Sequence, residues 1–185
     1  SATTPRTHAI TADLLERGRI APEPIHVALF DNRSPASLRL MAAAFQTIQT
    51  HYGGRLATMV VTQETVRASG AFFDETEGLV NYALALDGVV AAVIFLELPS
   101  GVKASFRSKG DCAINGWAGR FGGGGHANAS GAYVENATVR TFLKQVVDAA
   151  PPHVAADPAL AAESTDGDAL TPDDLALLQQ FQGRL

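Results

Sequence analysis

The sequence predicts an α/β fold in which a mixed sheet is flanked by helices. Three observations carry this prediction. Residues 89–98 form a strongly apolar run, the signature of a strand buried among other elements. After Pro99-Ser100-Gly101, a loop suited to a hairpin, the chain alternates. Val102, Ala104 and Phe106 fall on one side, and Lys103, Ser105 and Arg107 on the other. Around this hairpin lie segments with helical spacing of apolar residues, so helices and strands are mixed. The hairpin argues against a strictly alternating doubly wound sheet.

Taken in order, Thr4 before Pro5 opens a first helix, with Ile10, Leu14 and Arg17 on one face and Gly18 at its end. It reads as the last helix of something preceding. Pro22 and Pro24 mark a connector over 19–32 with a short helical turn. Ser34 and Pro35 open a long helix whose stripe is Leu38, Met41, Phe45, Ile48 and Tyr52, stopped by Gly53-Gly54. Residues 55–62 read as a buried strand, and Thr62 caps a short helix ending near Gly70. Asp74 and Glu77 have the spacing of a capping box, opening a helix with Leu79, Val80, Ala83 and Leu86 inward. After the hairpin, Ile114, Trp117, Ala118 and Phe121 follow helical spacing, and 131–134 is a short last strand. Asn136 is the expected cap of a helix with Val139, Phe142, Leu143, Val146 and Val147 inward. Residues 151–169 read as a flexible linker, followed by a short helix carrying Leu175, Leu178 and Phe181.

The totals limit the function. A chain of 185 residues with 46% hydrophobic and 18% charged side chains suits a soluble globular fold. No apolar run approaches the roughly 20 residues of a membrane span, and no signal peptide is recognised. One cysteine, Cys112, excludes an internal disulfide, and a reducing cytoplasm is the expected setting. The net charge of −5 argues against broad non-specific DNA binding. Residues 103–120 nevertheless carry four basic side chains (Lys103, Arg107, Lys109, Arg120) against one acid. A local basic patch in an acidic chain suits a small or short phosphorylated ligand.

Next to that patch stands Gly122-Gly123-Gly124-Gly125-His126-Ala127-Asn128. Consecutive glycines are costly inside helices and strands and suit a turn whose N–H groups approach an anion. His126 beside them is read as a phosphate contact rather than a surface histidine. Arg107, on the polar side of its strand, offers a planar fork for phosphate. Cys112 is read as a packing residue. The match to Gly-x-Gly-x-x-Ala lacks the strand-to-helix setting of a dinucleotide site, and the Gly-Lys-Ser/Thr of a P-loop is missing. No His-x-Asp-x-Asp pattern and no Asp-His-His tripeptide occurs, so the ligand cluster of a two-metal hydrolase is not in this sequence.

The stretch from Val102 through Arg107 to Gly110, with Trp117-Ala118-Gly119-Arg120-Phe121 running into the glycines, resembles the DHH-associated domain of DHH-family phosphoesterases. The resemblance is nearest to the nanoRNase/pAp-phosphatase branch, which Glu75-Thr76-Glu77-Gly78-Leu79-Val80-Asn81 also resembles, and it covers about residues 1–150. It implies a C-terminal remnant of a DHH domain and connector over 1–32, a linker helix over 33–54, and a substrate-binding domain over 55–150. Residues 151–185 lie outside it. It further implies substrate contacts from Arg107, Ser108, Gly123, Gly124, Gly125, His126 and Asn128. Short RNA or a nucleotide phosphate is the implied ligand. Catalysis falls to Mn2+ ions in the DHH domain of a longer chain, with no metal and no catalytic residue in this one. The resemblance thus implies a fragment inactive alone. A stand-alone nucleic-acid-binding module and part of a cyclic-dinucleotide phosphodiesterase are the alternatives.

Overall fold

The computed structural model describes residues 3–155. Six strands form one mixed sheet: β1 (Gln49–His51), β2 (Leu56–Val61), β3 (Ala91–Leu98), β4 (Gly101–Ser108), β5 (Gly124–His126) and β6 (Ala129–Glu135). Their order is β1-β2-β3-β4-β6-β5. Only β2 and β3 run parallel, and every other neighbouring pair is antiparallel. The helices are α1 (Pro5–Gly18), α2 (Pro22–Phe30), α3 (Pro35–Phe45), α4 (Gln63–Ser69), α5 (Val80–Leu84), α6 (Asn115–Gly119), α7 (Val139–Asp148) and α8 (Pro152–Ala155).

The sheet has a hydrophobic core on each face. On one face α3, α4 and α5 bury Leu40, Val66, Leu79 and Ala83 against Met59 and Val61 of β2 and Ala92 and Ile94 of β3. On the other, Trp117 of α6, Phe142 and Val146 of α7, and Val154 of α8 pack against Phe95, Ala104 and Phe106. The Trp117 indole N–H donates to the Val146 carbonyl at 3.1 Å, so its polar end is satisfied inside this core. The strand sequences follow from the layering. β3 is covered on both sides and reads as an unbroken apolar run, whereas β4 is covered on one side and alternates.

That asymmetry is what positions the candidate site. The core under α3–α5 is built on β2 and β3 and takes in no residue of β4, with α5 reaching only as far as the cleft along β4. The β4–β6–β5 half of that face carries the polar side of β4.

Several local expectations are corrected. The connector over 19–32 holds a nine-residue helix, α2. The long helix ends at Phe45, and Gln49–His51 joins the sheet as β1. The β-branched Thr47, Ile48 and Thr50 favour extended chain. The Thr47 hydroxyl also ties the helix end to the sheet, lying 2.7 Å from the Ala44 carbonyl and accepting from the Val60 N–H at 2.9 Å. The buried side of α3 is therefore Leu40, Met41 and Ala44, and Leu38 is exposed.

The acidic cap is also shifted. Glu75, not Glu77, accepts from the Phe72 N–H at 2.7 Å, and the turn Phe73–Thr76 is 3-10. Leu98 pairs with Gly101, so the hairpin loop is Pro99-Ser100 alone. Thr138, not Asn136, caps α7, while Asn136 takes a left-handed turn conformation at φ 57°. The first residues of the expected linker are folded. Val154 is buried, and Arg55 donates to the carbonyls of His153 and Val154. The remaining expected linker, from residue 156, and the helix expected after Thr171 lie outside the described residues.

Candidate functional site

The glycine run does not form a free loop. Gly124, Gly125 and His126 make β5, the edge strand, paired with Gly131, Ser130 and Ala129 of β6. Two of the glycines are there because nothing larger fits. A Cβ on Gly123 would stand 2.1 Å from the Gly131 carbonyl oxygen, and one on Gly125 would stand 2.6 Å from that of Ala129. Gly122 and Gly125 also have φ of 72° and 141°, where side chains are disfavoured. Gly124 differs from its neighbours, with open space around its missing Cβ.

Register then sets the site. Residues paired across antiparallel strands share a face. Arg107 pairs with Ala129, and Ala129 with His126, so the three form one row across the sheet. Two strand spacings separate Arg107 from His126, about 10 Å. In the next row Ser105, Gly131 and Gly124 stand side by side, with two positions bare of side chain. Lys103 and Tyr133 complete a third row. The result is a shelf floored by glycine and alanine, with Arg107 on one border and His126 on the other.

The donors on this shelf are uncommitted. Arg107 is half-buried, and among the described residues its side chain donates only to its own neighbour, the Phe106 carbonyl, at 2.9 Å. Among the described residues Lys103 and His126 have no side-chain hydrogen bond or ion pair, and no carboxylate pairs with Arg107. A guanidinium, an ammonium and an imidazole around a flat floor suit an anion with several oxygens.

The other predicted contacts are placed differently. Ser108 is buried, and its hydroxyl donates to the Cys112 carbonyl. The Asn128 amide donates to Ser108 Oγ at 3.0 Å and to the Gly110 carbonyl at 2.9 Å. This pair clamps the turn after β4 against the start of β6, and it holds the end of β4 where Arg107 leaves the sheet. The basic patch splits as well. Arg120 lies beyond α6 and donates to the Ala149 carbonyl at 3.1 Å, on the α7 side. Lys109 reaches the Leu86 carbonyl at 3.4 Å.

Beside the shelf, where α5 and the 3-10 turn end the covered half, lies an open cleft of about 470 Å³. Lys103, Ser105 and Arg107 line one side of it, and Phe73, Asp74 and Glu77 the other. The alternation of β4 could have assigned Lys103 and Ser105 to the site. Nothing local in the sequence could have brought Phe73 there, since it arrives through the crossover between β2 and β3.

The nucleophilic side chains next to the shelf are disfavoured or engaged. Burial pushes the Cys112 thiol above its ordinary value, which disfavours the nucleophilic thiolate. The Ser108 hydroxyl is engaged by backbone. Among the described residues no three His, Cys, Asp or Glu side chains come together as a metal site, and no helix is long and apolar enough to cross a membrane.

Comparison with known proteins identifies the family and the fold. The DHHA1 domain family matches residues 53–150. A bifunctional oligoribonuclease and PAP phosphatase NrnA from Thermus thermophilus is 31% identical over 147 residues, covering 80% of this chain and 43% of that protein. The protein of the same description from Bacillus subtilis is 33% identical over 97 residues, covering 52% of this chain and 30% of that one. An exopolyphosphatase-related protein from Bacteroides fragilis has a crystal structure similar at a TM-score of 0.75 and 26% identity, covering 83% of this chain and 46% of that one. The chain spans less than half the length of the curated relatives it matches. With the family matched from the turn before β2 to the end of α7, and the mixed sheet shared with a solved relative, the chain belongs to the DHHA1 domain family, the DHH-associated domain that the arginine and glycine motifs resemble.

Proposed function

We propose that this chain is the substrate-holding part of a manganese-dependent phosphoesterase that degrades short oligoribonucleotides and dephosphorylates 3′-phosphoadenosine 5′-phosphate (pAp). The observation that carries the reading is the uncovered half of the sheet. Arg107, Lys103 and His126 stand there around a floor of Gly124, Ala129 and Gly131, and among the described residues none of the three side chains is engaged beyond the Arg107 bond to the Phe106 carbonyl. Phosphate seats on Arg107 and passes over the glycine floor, with His126 as the contact at the far border. Gly123 and Gly125 serve by letting β5 approach β6, and Ser108 and Asn128 by fixing the end of β4. The relatives' description as oligoribonuclease and PAP phosphatase supports the ligand class.

The described residues do not fit a manganese centre. In this reading the metal ions and the hydrolytic step belong to a DHH domain elsewhere in a longer chain. The first two helices support such a partner. Neither α1 nor α2 buries a residue, and Leu29 and Phe30 are 68% and 61% exposed. Apolar side chains presented so openly on adjoining helices mark a surface that packs against something else.

The test uses the 185-residue chain itself. With manganese and a diribonucleotide it is expected to release no mononucleotide, while calorimetry detects binding of pAp. Robust turnover would overturn the division of labour, and absence of pAp binding would overturn the substrate-holding role.

A further inference from the structure

Resting on that phosphate reading, we infer that the cleft beside the shelf is a nucleobase subsite, with the Phe73 ring as its stacking wall. Phe73 stands at the start of the 3-10 turn and lines the cleft opposite Lys103, Ser105 and Arg107. It is 36% exposed, although α5 just behind it buries Val80 and Ala83 fully into the core. A phenyl ring left in reach of solvent beside uncommitted cations is the arrangement that single-stranded nucleic-acid sites use, with cations for backbone and an aromatic face for the base.

The charge across the cleft gives the ligand a direction. Arg107 and Lys103 occupy one wall, while Asp74 and Glu77 flank Phe73 on the other. No ion pair joins the two walls. The carboxylates repel phosphate and accept hydrogen bonds from ring N–H and exocyclic amino groups. Phosphate therefore goes to β4, and the base goes to the Phe73 side. The cleft, at about 470 Å³, is within the 300–1,000 Å³ of small-ligand sites.

Phe72 supplies the control. It is 75% exposed and does not line the cleft. A generic loss of surface aromatic area would show equally at either position.

The experiment measures binding of adenosine 5′-monophosphate, of pAp and of ribose 5-phosphate, which differs from adenosine 5′-monophosphate in lacking the base, to the full chain, and the preference for pAp counts toward the base only where adenosine 5′-monophosphate shares it. Wild type is expected to prefer pAp and adenosine 5′-monophosphate to ribose 5-phosphate. Phe73→Ala should weaken pAp binding by about 5- to 150-fold, the range for loss of one base-aromatic stack, and leave ribose 5-phosphate unchanged. Phe73→Trp should restore pAp binding, and Phe72→Ala should change none of the ligands. Equal affinity of wild type for adenosine 5′-monophosphate and ribose 5-phosphate would overturn the subsite and leave the phosphate reading intact. So would an equal loss of pAp and ribose 5-phosphate in Phe73→Ala, or an unchanged pAp affinity. Failure of wild type to bind any of the ligands would overturn both readings.

Discussion

Arg107→Ala is expected to lower the affinity of the chain for pAp by about 10- to 150-fold, the roughly 1.5–3 kcal/mol of a charge-assisted hydrogen bond. The side chain is half-buried on β4 and spends one N–H on the Phe106 carbonyl. The rest of its fork is open toward the shelf and the cleft. Because the fork is planar, Arg107→Lys should recover part of the affinity and not all of it. The fold should be indifferent to the change, since no ion pair is lost and the Phe106 carbonyl keeps its sheet setting. Calorimetric titration of the two variants, with thermal melts to confirm equal stability, checks the prediction. Unchanged pAp affinity in Arg107→Ala would return this residue to an ordinary strand arginine.

The second large effect concerns the glycines, which divide into two kinds. Gly123→Ala is expected to destabilise the chain by about 1–3 kcal/mol, the usual cost of forcing extra volume into packed structure. The added methyl would meet the Gly131 carbonyl oxygen and the Ala132 Cα at 2.1 and 2.7 Å. Both are atoms of β6, which is held by β4 on its other side, so β5 has to give way. Gly124→Ala should leave stability nearly unchanged, because its added methyl meets nothing within 4 Å. That methyl stands on the floor beside Gly131 and should weaken pAp binding by hindering close approach. Denaturant unfolding and pAp titration on the same two proteins separate the roles. A destabilised Gly124→Ala, or a Gly123→Ala as stable as wild type, would contradict this account of β5.

The glycine run shows where sequence reasoning reached and where it stopped. Its backbone demand was legible, since four consecutive glycines imply conformations or contacts closed to other residues. The kind of demand was not. A turn cradling an anion and an edge strand pressed onto a neighbour both need glycine. Only the pairing with residues 129–131 distinguishes them, and that pairing depends on tertiary register. The strand hairpin was legible because its two members carry different patterns, one unbroken and one alternating. Their difference reflects which sheet faces the helices cover. The end of α3 departs from the apolar spacing for a definable reason. Ile48 and Tyr52 continue a helical spacing from Phe45, but the hydrogen bonds between Thr47 and Val60 of the sheet outweigh it.

The site was partly legible on the same terms. Arg107 could be placed on a polar strand face from alternation alone, and its row with His126 follows once β6 is inserted between β4 and β5. Ser108 and Asn128 stand beside these residues in sequence, yet their polar atoms are turned to each other and to the turn after β4. Proximity in sequence does not reveal that commitment. Phe73 is more than 30 positions before Arg107 and enters the cleft only because the β2–β3 crossover carries it over the sheet.

The central claim is that the uncovered β4–β6–β5 half of the sheet is where phosphate binds. Amide chemical-shift mapping of the isotope-labelled chain during titration with pAp tests it most directly. The expected perturbations cluster at Lys103, Ser105 and Arg107 of β4 and at Gly124 and His126 of β5, saturating together with one affinity. Saturable perturbations confined to α6 and α7, on the opposite face of the sheet, would contradict it.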